Sequence, residues 1–384
     1  MQLRTLIYNQ QVDDGWSDNF PDLDSDSTLV LIFGAPEFIE NREPLQQIAQ
    51  HYPRSKIIGC SSAGEISGPY ILDKTLSVAI IKFEETTIEI VKEEIVTAED
   101  SFKAGQNIAV ALNKSNLRGI FVLSDGLNVN GSELVNGLNQ IDKKDVVITG
   151  GLAGDGKDFK KTWTIFNGEI LAKNIVAVGF YGDKIKIGHA SRGGWDVFGP
   201  ERLVTRSKNN VLFELDNMPA LKLYKEYLGD KASGLPATGL LYPLAIRPNL
   251  EKSEQLVRTI LGVDESTQSL TFAGDIPEGY LAQLMRSNFE RLVSSASEAG
   301  SVAFKMILNE QKAKQGPMLA IAISCIGRRL LMGNRTEEEV ESLLELFPAG
   351  TVQVGFYSYG ELSPYATGNC SLHNQTMTVT TFYE

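Results

Sequence analysis

Lys56-Ile-Ile-Gly-Cys-Ser-Ser-Ala-Gly-Glu-Ile66 is the stretch on which the fold turns. It opens as a buried apolar run, closes in a turn of small residues, and ends on Gly and an acid. Leu29-Val-Leu-Ile-Phe33 precedes it, with a helical pattern near 44–51 between the two. Strand, helix and second strand over about 30–35 residues is the spacing of a crossover unit with parallel strands. The unit recurs. Gly119-Ile-Phe-Val-Leu-Ser124, a helix near 132–140 and Val146-Val-Ile-Thr-Gly-Gly-Leu-Ala-Gly-Asp155 make a second copy. Met318-Leu-Ala-Ile-Ala-Ile-Ser324, a helix after Thr336 and Val352-Gln-Val-Gly-Phe-Tyr-Ser-Tyr-Gly-Glu-Leu362 make a third. Leu270-Thr-Phe-Ala-Gly-Asp-Ile276 reads as a degenerate fourth, although no helix precedes it. The expected fold is α/β, with mixed sheets built from repeated strand-helix-strand units. The glycine corners of the units are expected to meet around one shared cavity.

Working outward, 29–33, 120–123, 319–324 and 352–356 read as buried strands, and 100–113 and 286–308 as helices. Thr336-Glu-Glu-Glu339 has the form of a capping box. Val340, Leu343, Leu344 and Phe347 follow at helical spacing, and Pro348 stops the helix. Thr164-Ile-Phe-Asn-Gly-Glu-Ile-Leu171 is a hairpin signal with Asn167-Gly168 in a two-residue turn. Two copies fall in the first half of the chain and one in the second. The join is expected near 204–217, where Arg206-Ser-Lys-Asn-Asn210 reads as an exposed turn. Two domains, 1–205 and 206–384, follow; with no low-complexity linker between them they should pack together.

The composition excludes several classes. The chain has 384 residues, 42% apolar and 22% charged, enough to bury a sizeable core. Acids outnumber bases 48 to 36, a formal charge of −12 that opposes general binding to nucleic acid or anionic lipid. Cys60, Cys325 and Cys370 form no CxxC pair, which fits a reducing compartment better than a disulfide scaffold. The start lacks the apolar core of a signal peptide, and no apolar run nears the roughly 18 residues of a membrane helix. A cytoplasmic location is expected.

Standard catalytic motifs fail on inspection. In Gly59-Cys-Ser-Ser-Ala-Gly64, neither Ser61 nor Ser62 has the flanking glycines of a nucleophile elbow. The Gly-Glu that follows opposes the phosphate that a P-loop would hold. Gly150-Gly-Leu-Ala-Gly-Asp-Gly156 is not Gly-x-Gly-x-x-Gly. Cys60 is a candidate nucleophile with no histidine nearby in sequence, and a single Cys after a buried strand is more often a small core residue. His51, His189 and His373 show no metal-ligand spacing. His51 closes a polar helix, and His189 lies in a Gly-rich turn with Arg192 and Trp195. A receptor pocket needs small residues for close backbone approach and a few placed polar groups. Gly64, Gly151, Gly154 and Gly360, beside Glu65, Asp155 and Glu361, supply both. Those acids suit an ammonium group, and Arg192 or Arg328 a carboxylate, a pairing fit for an amino acid. Equally, the acids cap turns and the arginines are solvated.

Four stretches together resemble the FIST family (F-box and intracellular signal transduction proteins). They are Gly59-Cys-Ser-Ser-Ala-Gly-Glu65; Val122-Leu-Ser-Asp-Gly126 with Gly150-Gly-Leu-Ala-Gly-Asp-Gly156; Gly193-Gly-Trp-Asp-Val-Phe-Gly-Pro200 leading to Pro219-Ala-Leu221; and Cys325-Ile-Gly-Arg-Arg329, Gly355-Phe-Tyr-Ser-Tyr-Gly-Glu361 and Leu372-His-Asn-Gln-Thr376. The resemblance spans about 28–382 and implies a FIST N-terminal and a FIST C-terminal domain, hence a non-enzymatic sensor of small ligands, amino acids being the usual suggestion. The reading of the turns as a receptor site makes Cys60, Ser61, Ser62, Gly64, Glu65, Gly151, Gly154, Asp155, Arg192, Trp195, Arg328, Gly360 and Glu361 the ligand-binding candidates. Output then resides in a partner such as a histidine kinase. One group of relatives senses nitric oxide through haem, for which His189 and His373 are the candidate axial ligands. A Cys60-dependent enzyme is the third alternative.

Overall fold

All four apolar runs lie in parallel strand pairs buried on both faces, which is why they read as continuous rather than alternating. The structure, a computed structural model, describes residues 1–11, 15–141, 143, 145–248, 255–307, 317–364 and 368–384. The first repeat comprises β1 (Gln2–Asn9), β2 (Thr28–Gly34), α1 (Glu43–His51), β3 (Lys56–Ser61), β4 (Glu65–Ser67), β5 (Tyr70–Leu72) and β6 (Thr75–Lys82). The second comprises β7 (Thr87–Glu94), α2 (Ser101–Leu112), β8 (Leu117–Ser124), α3 (Gly131–Leu138), β9 (Val147–Leu152), β10 (Thr164–Phe166), β11 (Glu169–Leu171) and β12 (Asn174–Tyr181). The third begins with β13 (Lys186–Arg192) and is then interrupted. The interruption holds β14 (Asp196–Lys208), β15 (Val211–Leu215), β16 (Met218–Pro219), α4 (Ala220–Leu228), β17 (Leu244–Arg247), β18 (Leu256–Arg258), β19 (Ile260–Asp264), β20 (Ser269–Phe272) and β21 (Leu281–Arg286). The third repeat resumes with α5 (Phe289–Ile307), β22 (Leu319–Cys325), α6 (Ile326–Met332), α7 (Glu337–Leu344), β23 (Val352–Ser358), β24 (Gly360–Pro364), β25 (Cys370–His373) and β26 (Met377–Tyr383).

The three repeats are interlocked as a trefoil. Each donates a hairpin to the next repeat's sheet, so the strand orders are β1-β6-β2-β3-β10-β11, β7-β12-β8-β9-β24-β25 and β13-β26-β22-β23-β4-β5. In each, the third and fourth strands are the parallel pair of the crossover unit. The corners are stitched by a ring of equivalent backbone hydrogen bonds. Ala63 N donates to Tyr357 O (2.9 Å), Tyr359 N to Leu152 O (3.1 Å), and Gly154 N to Ser61 O (3.1 Å). A second ring closes the sheet ends: Ala35 N to Thr75 O, Asp125 N to Asn174 O, and Cys325 N to Thr376 O, at 2.9–3.1 Å.

Side-chain alternation fills the space between the sheets. Leu29, Leu31 and Phe33 point to a central core shared with Phe121 and Leu123 of β8 and Ile321, Ile323 and Phe356 of the third sheet. Phe33 and Phe356 stack there at 4.9 Å. Val30 and Ile32 face the other way, under Leu45 and Ile48 of α1. One glycine per repeat is dictated by the parallel pairing. A Cβ on Gly59, Gly150 or Gly355 would lie 2.3, 1.9 or 1.7 Å from the carbonyl oxygen of Ile32, Val122 or Ala322 opposite.

Most expected elements are present, and the exceptions are physical. The helix expected over 286–308 is Phe289–Ile307, with Leu308 outside the described residues. The hairpin at Asn167-Gly168 forms, both residues at positive φ. The capping box at Thr336 does not: Thr336 is itself helical, its hydroxyl bonding Gly333 O, and Glu339 turns inward to Arg328. The 270–276 stretch is not a fourth copy, since β20 pairs antiparallel with β15 and β19. The 206–210 turn joins β14 to β15 inside the inserted sheet, and the 205/206 division falls within β14. The inserted sheet, ordered β18-β17-β21-β14-β15-β20-β19, packs its own core around Leu221, Tyr224 and Phe272.

Candidate functional site

The corners do converge, but they close on one another. Gly154 is packed so tightly that a Cβ would lie 3.1 Å from that of Ala63. Around the axis three sets of small residues pack together, and their backbone groups bond one another.

The acids at those corners serve the protein. Glu65 accepts from Ser62 Oγ at 2.5 Å and from Thr75 N and Oγ1 at 3.1 and 2.8 Å. Glu361 repeats the arrangement with Ser358 Oγ at 2.6 Å and Thr376 N and Oγ1 at 3.2 and 2.9 Å. Burial pushes both carboxyls up to about 8 against the lowering effect of those donors. Asp155 accepts from the amides of Phe159, Lys160 and Lys161 and from the Tyr359 hydroxyl, capping the 156–161 loop. Arg328 is completely buried, bonded to Glu339 Oε2 through Nε (3.0 Å) and Nη2 (2.7 Å) and to the carbonyls of Gly193 and Leu292. Arg192 pairs with Glu298 on the surface. Trp195 donates Nε1 to Gln375 O at 2.8 Å. Cys60 lies wholly buried in the central core, its thiol pushed well up by burial. Ser61 binds Trp163 N through Oγ.

The cavity is elsewhere. A cleft of about 1010 Å³ opens between the trefoil and the inserted sheet. The trefoil side is built from strand ends and the turns after them: Gly126, Leu152, Cys325, Ile326 and Tyr359. Facing them are the 234–241 segment, with Leu240 and Leu241, the inserted strands at Ile260 and Phe272, and Thr259 between β18 and β19. Phe159 stacks on Tyr359 at 4.4 Å and carries the 156–161 loop to the mouth, where Lys157 stands. Gln375 ties the two sides, donating Nε2 to Leu240 O at 2.9 Å while its own carbonyl receives Trp195.

One polar group in the wall has nothing to bind. Thr259 is 3% exposed and its Oγ1 has no hydrogen-bond partner among the described residues. A buried hydroxyl without a partner is costly. Thr259 lines the cleft, but its Oγ1 has less than 1 Å² of accessible surface, so a partner arriving in the cleft would reach it by displacing part of the wall.

None of the thirteen ligand candidates read from the sequence lines this cleft. Leu152, Cys325 and Tyr359 lie inside the quoted motifs, one step from Gly151 and Gly360 or three from Arg328. Thr259 and the 234–241 wall had no signal, lying in the insertion between short strands. Neither expected haem ligand fits this cavity. His189 is on β13, packed against α5, and His373 on β25 bonds Ser363 O through Nε2 at 3.0 Å. Burial pushes both imidazoles down to about 4, and neither borders the cleft. Among the described residues, no group of three or more His, Cys, Asp or Glu is placed to hold a metal ion. No helix among them is long and apolar enough to cross a membrane.

The comparisons with known proteins agree with the motifs. The chain is 26% identical over 363 residues to the uncharacterized protein MJ1623 of Methanocaldococcus jannaschii, an alignment covering 87% of this chain. The chain spans 66% of that relative's length. Among solved structures, a chorismatase aligns over 100% of this chain and 98% of its own at 8% identity, with a TM-score of 0.36 that carries no argument. A FIST N domain model matches residues 28–218 and a FIST C domain model residues 220–364. The two models account for most of the trefoil and all of its insertion, and the chain belongs to the FIST family, whose domains are sensors of signal transduction.

Proposed function

We propose that this chain is a cytoplasmic, non-enzymatic receptor for a small ligand that enters the cleft between trefoil and inserted sheet. Binding there changes how the two bodies meet, and a separate signalling protein such as a histidine kinase reads the change. The observation that carries this reading is the unpartnered Thr259 hydroxyl in the wall of a largely apolar cleft of about 1010 Å³. That size suits a drug-sized molecule, and an apolar lining with few polar groups is the usual character of such sites. The seam supports the signalling half of the reading. Gln375 of the third repeat holds the Leu240 wall and Trp195, so a ligand that moves the wall moves the link between the bodies. A ligand shifts such an equilibrium only by its differential affinity for the two arrangements.

Native mass spectrometry after equilibration with a metabolite extract tests the reading. A retained small-molecule adduct is expected, lost when Leu330→Glu places a charge at the apolar mouth. Adding the purified adduct should change autophosphorylation of a histidine kinase encoded beside this protein. An adduct that survives Leu330→Glu unchanged would move the site away from this cleft. A haem sensor is the poorer reading, because His189 and His373 both lie off the cavity. A Cys60-dependent enzyme is poorer still, since Cys60 sits in the central core.

A further inference from the structure

The charges around the cleft point to the kind of molecule it takes. Lys157 is the one charged side chain among the described residues lining it, and it is exposed at the mouth. No ion-pair partner of Lys157 is present among the described residues. Inside, Leu152, Leu240, Ile260, Phe272 and Ile326 offer apolar surface, and within that wall is the buried Thr259 hydroxyl, a group that can both donate and accept. Among the described residues no carboxylate lines the cleft. Of the acids beside its walls in sequence, Asp125 is engaged by the amides of Leu127 and Asn128, Asp155 by the 159–161 amides, and Glu361 by Thr376 and Ser358, while Asp158, between Lys157 and Phe159, is exposed outside the lining.

An ammonium group carried into such a site would leave water without an anion to meet it, and burying an unpaired charge is heavily penalised. A carboxylate at the mouth meets Lys157, and a neutral oxygen inside meets Thr259. We propose that the ligand is an apolar molecule bearing a single acidic or neutral oxygen head, of the class of medium-chain or aryl-alkyl carboxylic acids, and that zwitterionic amino acids are rejected. This rests on the cleft being the receptor site, and it departs from the amino-acid ligand that the motifs suggested. Glu65 and Glu361, read from the sequence as partners for a ligand ammonium, have their carboxyls already bonded within the protein.

Four compounds sharing one tail isolate the head group: decanoate, 1-decanol, decylamine and 2-aminodecanoate, each below its micellar concentration. Displacement of the neutral fluorescent probe N-phenyl-1-naphthylamine reports occupancy of the cleft. Decanoate should displace it at a concentration about tenfold lower than 2-aminodecanoate, a ratio set by the unmatched ammonium. Decanol should fall between them, within about threefold of decanoate, because an exposed Lys157 adds little. Lys157→Glu, a surface change, should reverse the order of decanoate and decylamine. Thr259→Val, of nearly the same shape, should weaken decanol more than it weakens the probe. If 2-aminodecanoate competes as well as decanoate, or Lys157→Glu leaves the order intact, the ligand class is wrong while the receptor cleft stands. If the probe fails to bind, or binds Leu330→Glu as well as the parent chain, the receptor reading falls and this inference with it.

Discussion

Glu65 and Glu361 are equivalent residues of two repeats, each three positions after a serine that bonds it and each reached by the N–H and hydroxyl of a threonine, Thr75 or Thr376. Desolvation outweighs these donors, so both carboxyls titrate near 8 when folded against 4.5 when unfolded. The folded state therefore binds protons more tightly than the unfolded chain. Stability is fully present below about pH 4.5 as far as these groups are concerned, and declines as pH rises to about 8. Thermal unfolding followed between pH 5 and 8 should show a midpoint that falls with pH. Glu65→Gln with Glu361→Gln, which keeps shape and hydrogen bonding, should flatten that slope and raise the midpoint at pH 8. A slope unchanged in the double variant would assign the pH dependence to other groups.

Arg328 and Glu339 should behave as a buried pair whose loss leaves one charge stranded. Glu339 also accepts from Ser324 Oγ and the Tyr357 hydroxyl, so it cannot turn to solvent. Arg328→Met is expected to cost about 3–5 kcal/mol in urea unfolding. Arg328→Lys should recover little, because one ammonium cannot span Glu339 and the carbonyls of both Gly193 and Leu292. A loss under about 1 kcal/mol for Arg328→Met would mean that the pair contributes only shape.

Gly150 and Gly156 make a matched contrast six residues apart. Gly150 has φ +151° and a virtual Cβ 1.9 Å from Val122 O, in the middle of a parallel pair. Gly156 has φ +79° and open space around it. Gly150→Ala should prevent soluble folding, because backbone opposite backbone has no rotamer by which to yield. Gly156→Ala should cost only the backbone strain, about 1 kcal/mol. Expression yield and urea midpoints separate the two. Similar losses at both would imply that the β8–β9 pairing is looser than described.

What the residues disclosed, and what they withheld, follows from the range of the forces involved. The parallel strands, the crossover helices and the Asn167-Gly168 hairpin are written in patterns of two to eight residues, and each stands where periodicity puts it. The trefoil is not written locally. Glu65–Ser67 looks like a continuation of its own unit, yet it pairs with Val354–Phe356, nearly 290 residues on, because its own sheet edge is already taken by β10. The corners were legible as glycine and acid, but not whether the acids faced a ligand or a threonine. That depends on where Thr75 and Thr376 lie in space. Thr259 gave no sign at all: a threonine between two short strands is unremarkable until its hydroxyl is found without a partner.

Tyr359 links a corner of the third repeat to the loop of the second that guards the cleft. Its hydroxyl donates to Asp155 and to Gly156 O, while its ring stacks on Phe159. Asp155 in turn caps the 159–161 amides, so one hydroxyl holds the loop that presents Lys157. Tyr359→Phe keeps the stack and removes the bond to the carboxylate, a change worth about 1.5–3 kcal/mol for a charged partner. Because the loop is on the surface, the loss should appear as local opening before global unfolding. Hydrogen exchange of the 157–161 amides should quicken by at least about tenfold, while strand amides of β8 and β9 keep their protection. Probe affinity for the cleft should weaken in parallel, since Phe159 and Lys157 would no longer be held at its mouth. Equal acceleration in loop and strands would show instead that Tyr359 stabilises the whole trefoil, leaving the loop with no independent mobility by which to admit a ligand.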